Sequence, residues 1–282
     1  MLPPDYHTHN QMCHHAEGTL EDYVQRAIAK GLPAIGFNDH FPQWYLPPGP
    51  PYEKYCMDQE ELPVYFQTAR QLREQYRDQV EIKIGMEVDF TIMDPDCSMI
   101  LQPELSIWPF DYIYGSVHVI TTLGEAWEVD DEIYLDHWDK GSNDLYYETY
   151  WRGIHAAIKT GLFDIIGHLD LPKKFGFVPE HPEQITPLID EAISLLADYG
   201  IATELNTAGW YKPVGEQYPS FEILQKLAQA GVGMVLGSDA HDPAYVGRDF
   251  DRGLQLLKDA GFTELCDFTR GHCTRVPIDR FE

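Results

Sequence analysis

Basic residues are scarce in this chain: 20 Lys and Arg stand against 46 Asp and Glu, a formal charge of −26. A nucleic-acid or anionic-membrane surface needs positive potential, so neither partner is expected. Cysteine is sparse as well. The five are an odd number without a Cys-x-x-Cys pair, which argues against a disulfide framework and for a reducing cytoplasm. No apolar run approaches the ~20 residues that span a bilayer; residues 232–236 are typical, and strand-sized. The opening residues carry neither the basic nor the apolar segment of a secretory leader, so none is expected. Repeats, low-complexity tracts and linker-like stretches are missing too. Residues 1–282 are therefore expected to form a single domain with ample core. Oligomeric state is not legible.

Histidine is the exception to this sparseness. Five of the twelve histidines fall in the first forty residues, at His7, His9, His14, His15 and His40. Side chains on an extended strand alternate with a period of two, so His7-x-His9 aims two imidazoles to one side. Two converging neutral imidazoles begin a transition-metal site, although the tripeptide alone is equally compatible with ordinary histidines.

Along the chain, strand patterns alternate with helix patterns. The capping-box start Thr19-Leu20-Glu21-Asp22 and apolar spacing predict a helix to Lys30, stopped by Gly31. Further helices are expected at 58–77, 143–160, 186–199 with Thr186-Pro187 as its start, 220–230 and 245–260. Strands are expected around His7 and at 33–38, 80–89, 112–117, 163–167, 201–205 and 232–237. The Pro-, Tyr- and Trp-rich stretch 41–55 reads as an ordered loop over a pocket. This alternation predicts an α/β fold whose parallel sheet is a closed or nearly closed barrel.

His40, Glu87, His118, His168, Asp239 and His241 each fall at or just past the C-terminal end of a predicted strand. In a β/α barrel that end is the catalytic face. The mixture of imidazoles and carboxylates suits Zn, Mn or Fe better than Mg or Ca, which prefer oxygen donors throughout. So many donors fit two or three divalent transition-metal ions, with a carboxylate bridging a pair.

His7-x-His9, His15, Asn38-Asp39-His40, Gly85-Met86-Glu87, Ser116-Val117-His118, Gly167-His168 and Ser238-Asp239-Ala240-His241 together resemble the motif series of the PHP (polymerase and histidinol phosphatase) family. Residues 167–175 and 204–215, the latter opening Glu204-Leu205-Asn206-Thr207-Ala208-Gly209-Trp210, resemble its histidinol-phosphate phosphatase branch. The resemblance implies a distorted (β/α)7 TIM-like barrel, the PHP fold, and a trinuclear metal centre. It implies hydrolysis of a small phosphorylated substrate, L-histidinol phosphate, to L-histidinol in histidine biosynthesis, by a metal-activated hydroxide. On this carry-over His7, His9, Glu87 and Asp239 hold the first ion. Glu87 bridges to a second held by His118 and His168, and His15, His40 and His241 hold the third. Alternation leaves His14 or His15 open; spacing from His9 favours His15.

Glu87, Asp239 and His241 are the expected catalytic groups, with Asp39 or His14 as candidate proton donor to the leaving oxygen. Lys173, Lys174, Lys212 and Trp210 are the expected substrate contacts. The family branch places arginine near the phosphate where the matching regions here offer lysine, which lacks the guanidinium fork. Aromatic residues of 41–55 and Trp210-Tyr211 are expected to close over the substrate's imidazole and ammonium. Asp170 is a candidate to orient a ligating histidine, or a solvated acid. The acidic run 125–132 reads as a solvated loop that could bring a carboxylate to the ammonium. A different phosphomonoester and a catalytically idle metal-binding protein are the alternatives.

Overall fold

The computed structural model describes residues 1–50, 52–93 and 96–281. Helix α1 (Leu20–Lys30) forms where its caps say it should. Thr19 accepts the Asp22 N–H, the Asp22 carboxylate returns to the Thr19 N–H, and Gly31 ends the helix at φ 72°. Its apolar stripe, Leu20, Tyr23, Val24 and Ala27, packs beside strand β1 (Ala34–Phe37). Helix α2 (Leu62–Tyr76) leads to β2 (Glu81–Ile84) and β3 (Glu87–Asp89). Helix α3 (Ser98–Leu105) and β4 (Tyr114–Ser116) follow. An antiparallel hairpin of β5 (Val119–Thr122) and β6 (Glu125–Glu128) then precedes α4 (Leu135–Lys140) and α5 (Asn143–Thr160). The remainder runs β7 (Ile165–Ile166), α6 (Pro182–Tyr199), β8 (Ala202–Asn206), α7 (Phe221–Gln229), β9 (Met234–Gly237), α8 (Phe250–Ala260) and a hairpin of β10 (Glu264–Thr269) and β11 (His272–Pro277).

Parallel pairing joins β1 to β2, and β3 to β4, β7, β8 and β9 in that order. Single bridges complete the circuit. His40 pairs with Glu87, Asp5 with Ile35, and Thr8 with Ala240. The segment at 5–9 thus sits between the first and last strands as a stave, and β2 with β3 form one interrupted stave. The ring closes as a distorted (β/α)7 barrel.

The interruption lies where Tyr112 crowds the backbone. The Tyr112 hydroxyl donates to the Tyr6 carbonyl at 2.8 Å, which draws its ring across the barrel interior. A Cβ on Gly36 would lie 2.2 Å from that hydroxyl, and one on Gly85 would lie 2.3 Å from the ring. Only glycine fits at either place, and the expected strand 80–89 breaks at Gly85-Met86.

Below this level the interior is apolar: Tyr6, Tyr112, Tyr114, Ile165, Ala202 and Val235 meet Cys266 and Phe268 of β10. The Tyr6 hydroxyl donates to Asp267 at 2.7 Å and accepts the Phe268 N–H at 2.9 Å. The C-terminal hairpin therefore stoppers the N-terminal end of the barrel, which leaves the strands' C-terminal end open.

Three expectations about elements need correction. The helix expected from Thr186 begins at Pro182, with Pro187 inside it, because His181 is anchored to Asp144 through its N–H (2.9 Å) and ring Nδ1 (2.6 Å). The helix expected from Tyr245 starts at Phe250; residues 243–245 form a separate 3-10 turn, and Asp249 at φ 58° breaks the path. The acidic run 125–132 begins as strand β6, with Trp127 and Glu128 buried, rather than lying wholly in a solvated loop. No helix among the described residues is long and apolar enough to cross a membrane.

Candidate metal centre

Glu87, at the start of β3, is the hub. Its Oε2 lies 3.3 Å from His7 Nε2, 3.4 Å from His9 Nε2 and 3.4 Å from His40 Nε2. Its Oε1 lies 3.1 Å from His168 Nε2 and 3.7 Å from His118 Nε2, and accepts the Ser116 hydroxyl at 2.6 Å. The two oxygens thus face two different sets of imidazoles. Asp239, just past β9, adds an oxygen 3.3 Å from His9 Nε2 and 3.7 Å from His7 Nε2. Beyond it His15 and His241 face one another, Nε2 to Nε2, at 2.9 Å. All nine residues expected as ligands converge on the open end of the barrel. His14 does not join them: at φ 65° it turns away, and its Nε2 lies 3.3 Å from Glu61.

Four of the outer ring nitrogens are occupied, those of His7, His118, His15 and His241. His7 Nδ1 lies 3.1 Å from both oxygens of Glu204, and His118 Nδ1 lies 2.6 Å from Asp89 Oδ1. His15 Nδ1 donates to the Cys13 carbonyl at 2.8 Å, and His241 Nδ1 to the Asp239 carbonyl at 3.0 Å. An Nδ1–H held this way leaves the Nε2 lone pair directed inward. Glu204 is completely buried on β8 and also accepts the His168 N–H (3.0 Å) and the Tyr114 hydroxyl (3.2 Å). A Cβ on Gly237 would lie 2.1 Å from its Oε2, so glycine is required there. Sequence reasoning missed Glu204 as a positioning residue. Its signal was available: a carboxylate in the middle of a buried strand.

These residues fit divalent transition metals. Besides the His15–His241 pair, His7 Nε2 faces His9 Nε2 at 3.1 Å and His118 Nε2 faces His168 Nε2 at 3.2 Å. Lone pairs so arranged repel unless a shared Lewis acid lies between or beside them. Several His, Asp and Glu triads have donor atoms within 4.8 Å of one another, among them His7–His9–Asp239, His7–Glu87–His168 and His9–His40–Glu87. Electrostatics agrees. Burial opposes a charge on Glu87, but His40 and His7 hold its carboxyl well below the usual range. Burial likewise opposes charge on Asp239, which His7 and His9 hold down. Burial, with His40 and His241 nearby, depresses His15 to about 3, leaving it a neutral donor.

Above the donors opens a cavity of about 670 Å³. Lys174, Lys212 and Arg248 line it from three separate loops. Lys174 Nζ donates to the Asp130 carbonyl at 2.6 Å and lies 3.1 Å from its carboxylate. Burial works against that ammonium, but Asp130 raises it above its ordinary value. Arg248, which the sequence did not single out, lies 3.5 Å above the Tyr211 ring and 4.3 Å from that of Tyr245. It brings to the wall the guanidinium that the lysines lack.

Several expectations about substrate contacts are corrected. Lys173 lies outside the cavity wall, its Nζ taken by Glu216 (2.6 Å), Asp170 (2.9 Å) and the Gln217 carbonyl (2.8 Å). Asp170 is engaged there, and by the Ser220 N–H at 2.8 Å, rather than by a histidine ring. Trp210 is also outside the wall; its indole donates to Gln217 at 3.0 Å and Arg252 covers its face. Asp39 is sealed under Asn10, whose backbone N–H it accepts at 2.8 Å, so it reaches no leaving group. Of the aromatic residues in 41–55, Phe41 and Tyr45 are core, Trp44 faces solvent, and Tyr55 lines the cavity.

A family profile described as the PHP domain matches residues 5–208. This chain belongs to the PHP family. The chain is 36% identical over 259 residues to a Deinococcus radiodurans protein named "Probable histidinol-phosphatase", covering 91% of this chain and 93% of that one. It is 29% identical over 273 residues to the histidinol-phosphatase of Bacillus subtilis, covering 90% and 99%. Among solved PHP structures, histidinol phosphate phosphatase of Lactococcus lactis, complexed with zinc, L-histidinol and phosphate, superposes with a TM-score of 0.79 at 26% identity, over 96% of this chain and 98% of that one.

Proposed function

We propose that this PHP protein is a metal-dependent histidinol-phosphatase, hydrolysing L-histidinol phosphate to L-histidinol and phosphate. The observation that carries the reading is the cavity itself: its floor is the imidazole and carboxylate cluster around Glu87, and its wall holds Lys174, Lys212 and Arg248. Its size suits a small phosphomonoester, and the relatives described above bear the name of that activity. The chain's charge of −26 disfavours nucleic-acid substrates.

His7, His9, Glu87 and Asp239 would hold one ion, Glu87 with His118 and His168 a second, and His15, His40 and His241 a third. Zinc, manganese or iron suits this donor set. Such ions, when bound, polarise phosphoryl oxygens and bring the pKa of a water down to about 7. The chain's residues do the rest. Lys174 and Lys212 neutralise the non-bridging oxygens, Arg248 offers its fork, and the rigid outer bonds from Glu204 and Asp89 hold the donor rings in place through the reaction. Glu87, Asp239 and His241 border the point of attack. Five free thiols, at Cys13, Cys56, Cys97, Cys266 and Cys273, suit a cytoplasmic setting.

The test is phosphate release from L-histidinol phosphate against a panel of phosphomonoesters, with and without chelator and with added Zn²⁺, Mn²⁺ or Fe²⁺. A kcat/KM orders of magnitude above the panel, abolished by chelation and by Glu87→Ala, is the expected result. Flat rates across the panel would reject the substrate; no turnover with any metal would favour an idle metal-binding protein.

A further inference from the structure

One buried carboxylate in the cavity is unanswered. Glu128, the last residue of β6, lines the cavity and is only 6% exposed, yet among the described residues no hydrogen bond or ion pair reaches its side chain. Its acidic neighbours are all engaged: Asp130 by Lys174, Asp131 by the Tyr55 hydroxyl, and Asp89 by His118 and Gln43. A carboxyl enclosed but for the cavity, with no protein partner, gains from a cation that enters there.

Gln43 borders the same cavity, but its acceptor is closed off. Its Nε2 donates to Asp89 Oδ2 at 2.5 Å, which fixes the amide's orientation, and its Oε1 is buried without a partner. Burial first, then the charge of Asp130 with Asp89 and Asp131 behind it, raises the Glu128 carboxyl to about 8, with His118 acting the other way. The same field favours an arriving cation. A carboxyl without a protein partner in such a field calls for a ligand that carries a cation. L-Histidinol phosphate carries one, an ammonium on the carbon next to its phosphate-bearing CH₂.

We propose that Glu128 receives the ammonium of the substrate and so selects cationic amino-alcohol phosphates over other phosphomonoesters. This rests on the phosphatase reading above and adds its specificity determinant. The test compares metal-loaded wild type, Glu128→Gln and Glu128→Ala on L-histidinol phosphate, phosphoethanolamine and the uncharged-alcohol ester propyl phosphate. Metal content and L-histidinol binding by titration calorimetry are measured alongside. A charge-assisted bond removed in this way lowers the L-histidinol phosphate to propyl phosphate ratio of kcat/KM by about tenfold or more, through KM, and weakens L-histidinol binding by a like factor. A ratio preserved in both variants overturns the proposal, as does loss of bound metal with equal loss of activity on both esters. If wild type prefers phosphoethanolamine to L-histidinol phosphate, and Glu128→Gln cancels that preference, the histidinol assignment fails while the role of Glu128 stands. A wild type that prefers no cationic ester overturns both.

Discussion

Glu204→Gln separates the orienting of a donor ring from the holding of the fold. The substitution keeps the shape of a side chain that is completely buried on β8. It removes the charge that both oxygens direct at His7 Nδ1 from 3.1 Å. The amide oxygen can still accept the His168 N–H and the Asn206 side chain, which now reach Oε1 at 3.0 and 3.1 Å. The Tyr114 hydroxyl can turn to accept from the new NH₂. What is lost is the difference between a charge-assisted and a neutral hydrogen bond to His7, about 1–2 kcal/mol. His7 also loses the Glu204 charge that, against the effect of burial, contributes most to raising its affinity for a positive charge. Metal affinity should fall about ten- to thirtyfold, within the range typical for groups that orient a ligating histidine. Competition with a chelator of known affinity measures this. The metal-stripped variant should unfold at the wild-type temperature or above it, because an amide is easier to bury than a carboxylate. Unchanged affinity would refute the orienting role, and a Tm many degrees lower would make Glu204 a structural residue instead.

The adjacent lysines should behave oppositely. Lys173→Met strands Asp170 and Glu216 without their shared cation; it should cost about 3 kcal/mol in urea unfolding and lower Tm by several degrees, with KM little changed. Lys174→Met should raise KM for the phosphate ester about tenfold and cost less in Tm than Lys173→Met, because the Asp130 carboxylate it releases opens onto the cavity, and the reverse pattern would overturn the assignment of these two residues. Asp164 gives a pH signature far from the site. Burial raises its carboxyl to about 6, although it accepts the Ile113 N–H at 2.8 Å. The folded state therefore keeps a proton that the unfolded chain releases near pH 4. This group's contribution is complete below about pH 4 and is lost as pH rises through about 6, up to about 3 kcal/mol. Asp164→Asn should remove that slope and be the more stable protein at pH 7; an unchanged slope in urea midpoints between pH 4 and 7 would count against it.

Local signals carried the regular elements. The bounds of α1 and α5 match expectation because Thr19 and Ser142 cap their starts and Gly31 and Gly161 their ends. The clustering of histidines and acids at strand ends was also legible, since the barrel carries every strand end to one face. Long-range packing was not. Lys173 and Lys174 share one 3-10 turn, and nothing local says which faces the cavity. Arg248 reaches it only by stacking on Tyr211, from a loop 37 positions later in the chain. The hairpin β10–β11 has no helix partner in the alternating pattern, and its reason for existing, a stopper for the ring of tyrosines beneath the site, is visible only once the barrel has closed.

That closure bears on how the protein is made. Asp5 accepts the N–H of Ser238, 233 positions away, and the stave that carries His7 and His9 has one neighbour near the start of the chain and the other near its end. On the ribosome the first stave must wait, half-paired, until nearly all of the polypeptide has emerged. Contacts of such sequence separation slow folding, and unpaired strand edges are open to the wrong partner meanwhile. Asp239 and His241 arrive with the same late stave, so an ion that binds the finished cluster rewards the complete chain alone. Zinc or manganese supplied during refolding should therefore raise the yield of native protein, and do nothing for a nascent chain stalled before residue 239.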